Sequence, residues 1–258
     1  MKLLESELLK LLYARATKVV LILVCVVQGI LAYSGSRQIL QVGLDATPLT
    51  CDSLAEAIPP VDYIGFDAVL FGMVPLIVLG ALAGSFEFKR KCFRTTFLTS
   101  GSRGKILVTK ILTVIGVSTA TSFLSTYITL NLAQSALGGQ GLPVILLNKT
   151  TWGLIFLSVL SEVLLILTAF GMALTFHTAT VPLLFMIPQL YVSMYLPKGH
   201  VLASLLPIPA GESLIGTSPQ AMNSNPASAL LVLLCWSVCF LVIGCVRLGR
   251  EDMGNYEE

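Results

Sequence analysis

Charge is scarce in this chain. Of its 258 residues only 12% are Asp, Glu, Lys or Arg, while 55% are hydrophobic. A soluble domain carries about 25% charged residues, so roughly half of a normal polar coat is missing. That deficit is expected where lipid replaces water around most of the structure, and the mean hydropathy of +0.86 agrees. Histidine is scarcer still, with only His177 and His200. A serine nucleophile needs an imidazole base beside it, and neither histidine falls inside an apolar run. The HExxH pattern of zinc proteases is absent, and so is the GxxxxGK[ST] loop that ATP hydrolysis by the P-loop route requires. Gly101-Ser102-Arg103-Gly104-Lys105 is glycine-rich, but its first glycine is misplaced and Ile106 stands where Ser or Thr is needed. No catalytic residues and no bound cofactor are expected of this chain, and no nucleic-acid partner.

The six cysteines do not form a disulfide framework. Cys25, Cys235, Cys239 and Cys245 lie in or at the ends of apolar runs, Cys92 lies in a basic segment, and Cys51 is left without a partner on its side. Cys235 and Cys239 are spaced i, i+4, but a metal pair normally needs two further ligands. They are read as small packing residues.

What is abundant is long apolar sequence. Six runs, at about 17–34, 66–86, 109–132, 152–175, 178–195 and 226–246, approach the roughly 17–25 helical residues that cross a hydrocarbon layer. They are near-continuous, unlike the short alternating segments of a membrane barrel. Helices also satisfy every backbone donor and acceptor internally, as hydrocarbon demands. The expected fold is an all-α integral membrane protein: one membrane domain over 1–258, with six transmembrane helices.

Charge orients it. With the N-terminus inside, thirteen basic residues fall on the inner side and only Arg37, Lys149 and Lys198 on the outer. Under the positive-inside rule this places both termini in the cytoplasm, in a multi-pass protein of the cell's inner membrane. Glu5 and Glu7 in the leading segment are unlike the short basic start of a cleaved signal peptide. Residues 1–16 instead suit an amphipathic helix in the inner interface, with leucines at 3, 4, 8, 9, 11 and 12. The outer stretch 35–65 reads as a loop with one short helix around Cys51 to Ile58. Gly72, Gly80 and Gly84 in the second run favour close helix packing. Pro182 and Pro188 predict a kinked fifth span, after a tight turn at His177. Residues 196–225 are long for a connector and apolar enough to dip back into the membrane as short helices.

One ionisable residue stands in the middle of a run. Glu162 has Ser158 one turn before it and Ser161 beside it. A charge at mid-bilayer costs at least about 2.5 kcal/mol, and such groups mark functional paths by default. Two readings stay open: Glu162 with Ser158 lines a translocation path or relays a proton, or it is a protonated or hydrogen-bonded carboxyl that locks helices together. Gln189, near Tyr191 and Tyr195, is a further polar candidate for that path. Trp152 reads as a membrane-boundary anchor and Trp236 as a packing residue.

The segment Glu87 to Lys110, EFKRKCFRTTFLTSGSRGKILVTK, holds seven of the 16 basic residues and one of the 14 acidic ones. It is longer than a connector needs to be. Glu87 and Phe88, then Arg94, Thr95, Thr96, Phe97 and Leu98, then Arg103 and Lys110, resemble the cytoplasmic segment after the second helix of type-2 ATP-binding-cassette exporter permeases. Lys91 and Cys92 depart from the usual Gly-Thr, and Gly101 stands where Pro is frequent. The resemblance implies a coupling loop over 87–108. Within it a short helix in Arg94 to Ser100 would dock on a separate ATPase, Phe97 and Leu98 filling a groove while Arg94 and Arg103 orient the contact. It also implies two ATPase subunits carrying ATP and Mg, a second permease chain, and export of an amphipathic or apolar substrate such as a drug, lipid-like molecule or antimicrobial peptide. The alternatives are a membrane sensor that signals to an ATPase without transport, and an intramembrane enzyme using Glu162. A plainer role for the basic segment is binding anionic lipid, at about 1 kcal/mol per charge.

Overall fold

A computed structural model describes residues 2–50, 54, 57–86, 88, 103–143, 147–191, 204–215 and 226–250. Those residues form helices and turns, with no strand among them. In chain order the α-helices are α1 (Lys2–Tyr13), α2 (Arg15–Val42), α3 (Phe66–Ser85), α4 (Arg103–Ala136), α5 (Lys149–Phe176), α6 (Thr180–Met186), α7 (Pro207–Ile215) and α8 (Pro226–Arg250). Five of them, α2, α3, α4, α5 and α8, are long and apolar enough to cross a membrane.

The helix ends follow local chemistry. Extended backbone at Ala14 separates α1 from α2, so the leading amphipathic segment is a helix of its own. Gly43 ends α2, its N–H donating to the Ile39 carbonyl at 2.9 Å. Gly65 opens α3 at φ 102°, where a Cβ would also stand 2.6 Å from the Ala133 side chain. Only glycine meets both conditions. His177 closes α5 in the left-handed conformation, φ 56°, and confirms the tight turn expected there.

Helix α5 is the axis of the packing. Within its apolar window 78% of residues are buried, against 22% for α8. On one side α3 brings Gly80 and Gly84 against it. A Cβ on these glycines would lie 2.4 Å from the Ile166 carbonyl oxygen and 2.7 Å from that of Phe170. On another side a Cβ on Gly171 would fall 2.8 Å from the backbone of Phe240 and Leu241, and one on Gly244 would fall 2.9 Å from the Leu174 side chain. Missing side chains let the backbones approach, and dispersion then acts along the whole contact. The outward faces of α2 and α8 stay apolar and exposed, as at Val19, Ile22, Ile30, Leu231, Val238 and Val242.

Of the fifth expected span, 178–195, the described residues form α6 followed by a 3-10 segment, Ile187–Tyr191, shorter than the five long helices, and 192–195 lie outside the described residues. Two prolines explain this. Pro182 is tolerated in the first turn of α6, but Pro188 lacks the N–H that would continue the helix, and the backbone tightens into the 3-10 form there. The chain nevertheless travels far along the bundle. Helices α5 and α8 finish at the same end, where the Arg247 guanidinium donates to the Thr175 carbonyl at 2.6 Å. Gly211 of α7 sits on Ser161, fourteen residues back along α5, which is about 21 Å at 1.5 Å per residue. Helix α7 therefore lies well along the bundle from the end where α6 begins. Within the 196–225 stretch α7 is a short, mostly buried helix.

Other expectations shift at their edges. The last residues of the 87–108 loop, from Arg103, belong to α4, because apolar and helix-favouring residues run on without a breaker. Helix α2 extends to Val42, well into the stretch read as loop. The short helix expected at Cys51 to Ile58 falls mostly outside the described residues. Cys235 and Cys239 are exposed, not packed, since α8 turns that face away from α5. Trp236 packs on Phe185 and Phe240 and also donates its indole N–H to the Leu205 carbonyl at 2.8 Å.

Close backbone contact at Gly80 predicts that Gly80→Ala destabilises the protein by about 1–3 kcal/mol through overpacking. Gly116 of α4 has open space around its Cβ position. Thermal unfolding in detergent should therefore show a lower midpoint for Gly80→Ala and an unchanged or raised one for Gly116→Ala.

Candidate functional site

Polar side chains recur on α4 at Ser118, Ser122, Ser125 and Thr129, with Thr126 alongside, and every one is fully buried. Steps of four, three and four residues put them on one helix face. That face meets α2 and α5. From α2 comes Gln28, also fully buried, and from α5 come Ser158 and Glu162.

Gln28 ties three helices together. Its Nε2 donates to the Val69 carbonyl of α3 at 3.2 Å. Its Oε1 accepts the Thr129 hydroxyl of α4 at 3.3 Å. Room for the amide exists only because position 72 is glycine, where a Cβ would fall 1.6 Å from the Gln28 Nε2. Hydrogen bonds of this kind contribute about 1 kcal/mol each, and losing one partner of a buried pair costs more.

Glu162 lies beside Ser122 and Gln28. It is fully buried, and neither carboxyl oxygen has a hydrogen-bond partner among the described residues. The hydroxyls of Ser122, Thr126 and Ser158 are likewise unbonded. Neighbouring hydroxyls on the same helices behave differently. Ser118 donates to the Ile115 carbonyl at 3.0 Å, Ser125 to Ser122 at 3.1 Å and Thr168 to Leu164 at 2.8 Å. Buried hydroxyls in helices usually rest on such carbonyls. Those of Ser122, Thr126 and Ser158, like those of Ser36, Thr151 and Ser161, do not.

The candidates read from sequence separate in space. Glu162 and Ser158 share one face of α5, one turn apart. Ser161 points instead at Gly211 of α7, where a Cβ would lie 2.8 Å from its Oγ. Gln189 is buried elsewhere. Its Nε2 donates to the Phe185 carbonyl at 2.9 Å and its Oε1 accepts the Ile208 N–H at 3.4 Å, so it fastens α7 to the 3-10 segment. Glu87, Arg94, Thr95, Thr96, Phe97 and Leu98 lie outside the described residues, while Arg103 is the first residue of α4. Phe88 stacks on His177, ring centres 4.1 Å apart, which joins the entrance of the basic segment to the end of α5.

Gln28 and the hydroxyls of α4 escaped the sequence reading. Their signal was present: an amide inside the first apolar run, and hydroxyls repeating at three and four residues in the third. Trp152 is more than a boundary anchor, since it stacks with Phe123 and Tyr127 of α4 at 6.4 and 6.2 Å. No group of three or more His, Cys, Asp or Glu side chains able to hold a metal is found among the described residues.

Gly72→Ala should drive Gln28 off the Val69 carbonyl and cost about 1–3 kcal/mol. Combining it with Gln28→Ala should cost less than the sum of the two single changes, because the second removes the clash. Unfolding of the two single variants and the double variant in detergent measures this coupling; additive losses would separate Gly72 from Gln28. Neither the protein-family models nor the curated proteins compared with the chain gave a match.

Proposed function

We propose that the chain is a membrane-embedded permease subunit that works with separate ATPase subunits to export an amphipathic or apolar substrate. The observation that carries the reading is the position of the basic segment. Residues 87–110, with seven basic side chains, lead from the end of α3 into the first turns of α4, two long apolar helices of one bundle. In this reading the segment lies in the cytoplasm with both termini, and Phe97 and Leu98 dock in a groove of the ATPase while Arg94 and Arg103 orient the contact. ATP and Mg are held by the ATPase subunits, and a second permease chain completes the path. The helix α1 lies in the inner interface.

Two features support a moving part in this bundle. Phe88 stacks on His177, so displacement of the basic segment would reach the end of α5 directly. Arg247 of α8 holds the carbonyl of Thr175 next to that end, so α8 would feel the same displacement. The broken stretch from α6 to α7 supplies the return between α5 and α8 that six crossings need. Glu162 and Ser158, on α5, stand where such motion would be felt inside the membrane.

The test is purification of the full chain from its native membrane, followed by assay of the ATP hydrolysis that accompanies it. Phe97→Asp with Arg94→Ala should lower co-purified ATPase activity about tenfold or more, as loss of a buried interface anchor does. The variant chain should still elute as a folded species in detergent. Equal activity in wild type and variant would leave the basic segment as a topology and lipid anchor.

A further inference from the structure

We propose that the corner where α1 meets α2 binds the headgroup of an anionic phospholipid, with the outward face of α2 as the bed for its acyl chains. That face is apolar and uncovered. Val19, Ile22, Val26 and Ile30 are exposed, and steps of three and four residues put them on one side of the helix. The same side continues into Arg15 and Lys18 at the start of α2 and into Tyr33 and Arg37 near its end, all exposed. No charged residue stands between Lys18 and Arg37. The nineteen residues from one to the other measure about 28 Å along the helix, close to the roughly 30 Å of a hydrocarbon layer. An apolar face of that length, bounded by a cation at each end, fits lipid as its cover.

The two ends differ in charge. At the far end the Arg37 guanidinium is engaged by Tyr33, Nη2 donating to the phenol oxygen at 3.1 Å, and exposed Asp45 follows in the chain. At the near end Lys10, Arg15 and Lys18 are all exposed. Only two acids stand in residues 3–42, Glu5 and Glu7. Glu5 is exposed, but Glu7 is turned inward, 5% exposed, and bonded to Lys10 at 2.5 Å. Helix α1 packs against α4 and leaves Leu9, Leu12 and Tyr13 exposed. Lys18 reaches back across the break at Ala14, its ammonium 4.9 Å from the centre of the Tyr13 ring. The end of α1 and the start of α2 thus share one cationic corner beside an apolar surface.

A phosphodiester suits that corner. Arginine binds its oxygens through two parallel N–H groups, and lysine adds a point charge. Net charge then selects the class of headgroup. Choline would bring a quaternary ammonium into a corner already positive, and Lys18 occupies the face of Tyr13 that could receive it. An anionic headgroup meets neither penalty. Lipid held here would pin α1 to the membrane surface, and with it the helix α4 on which α1 packs.

The full chain, purified in detergent and stripped of native lipid, is titrated with phosphatidylglycerol or phosphatidylcholine and weighed intact by native mass spectrometry. Phosphatidylglycerol is expected to bind about tenfold or more tightly than phosphatidylcholine, the preference that two or three surface charges provide. Arg15→Gln with Lys18→Gln should remove that preference. Arg37→Gln, at the other end of the same face, should leave it intact. If the double variant does not fold, either single variant carries the test, with a loss of about fivefold. Equal binding of the two lipids overturns the proposal, and so does a preference that survives the corner substitutions. A preference removed instead by Lys89→Gln with Arg90→Gln overturns it by giving the lipid to the basic segment. Dimers free of phosphatidylglycerol overturn it by giving the face to a second copy of the chain. No ATPase takes part, so these outcomes are independent of whether the chain serves in transport.

Discussion

The backbone contact of α5 with α3 and α8 is what the rest of the bundle depends on. Gly80 and Gly84 bring α3 against the carbonyls of α5, and Gly171 with Gly244 brings α8 in from another side. Inside lipid no hydrophobic force separates protein from solvent, because lipid tails are as apolar as leucine. Close packing and hydrogen bonds must then hold the helices together, and both are richest along α5. Its burial follows from this, and so does the depth of everything it carries.

Glu162 owes its surroundings to that position. On an outer helix the same residue would meet lipid or an interface. On α5 it lies beside Gln28 of α2 and Ser122 of α4. The Gln28 amide crosses to Val69 and Thr129, and glycine at 72 leaves the space it needs. The polar cluster and the glycine contacts are thus one arrangement: small residues bring the helices close, and closeness lets polar groups reach across. A cluster half satisfied in this way is expensive.

The two ends of α5 differ in kind. Toward its start, Trp152 stacks with aromatic rings of α4 and Asn148 donates to Asp62 at 3.1 Å. At its close, His177 turns the chain in a left-handed conformation, Phe88 stacks on the imidazole, and Arg247 takes the Thr175 carbonyl. That second end gathers the entrance of the basic segment, the turn into α6 and the last turns of α8. Phe88, at the entrance of the basic segment, meets α5 there, fifteen residues from Glu162, or about 22 Å along the helix.

Long apolar runs and scarce charge were enough to make the chain an all-helical protein with membrane-crossing elements, because helix length and backbone satisfaction in lipid depend on local sequence alone. Glu162 was legible for the same reason: a lone carboxyl in an apolar run needs no structure to be noticed. The small residues of α3 also announced a buried helix. Other features needed the folded chain. The described part of 178–195 breaks into α6 and a 3-10 segment, which turned on two prolines acting within a particular packing. The pairing of Glu162 with Ser122 and Gln28 joins residues from three separate runs, and nothing in their spacing along the chain brings them together. The separation of Gln189 from that cluster is equally non-local, since its amide is taken by the N–H of Ile208. Periodicity tells which face of a helix is polar; only the contacts between helices decide which polar faces meet.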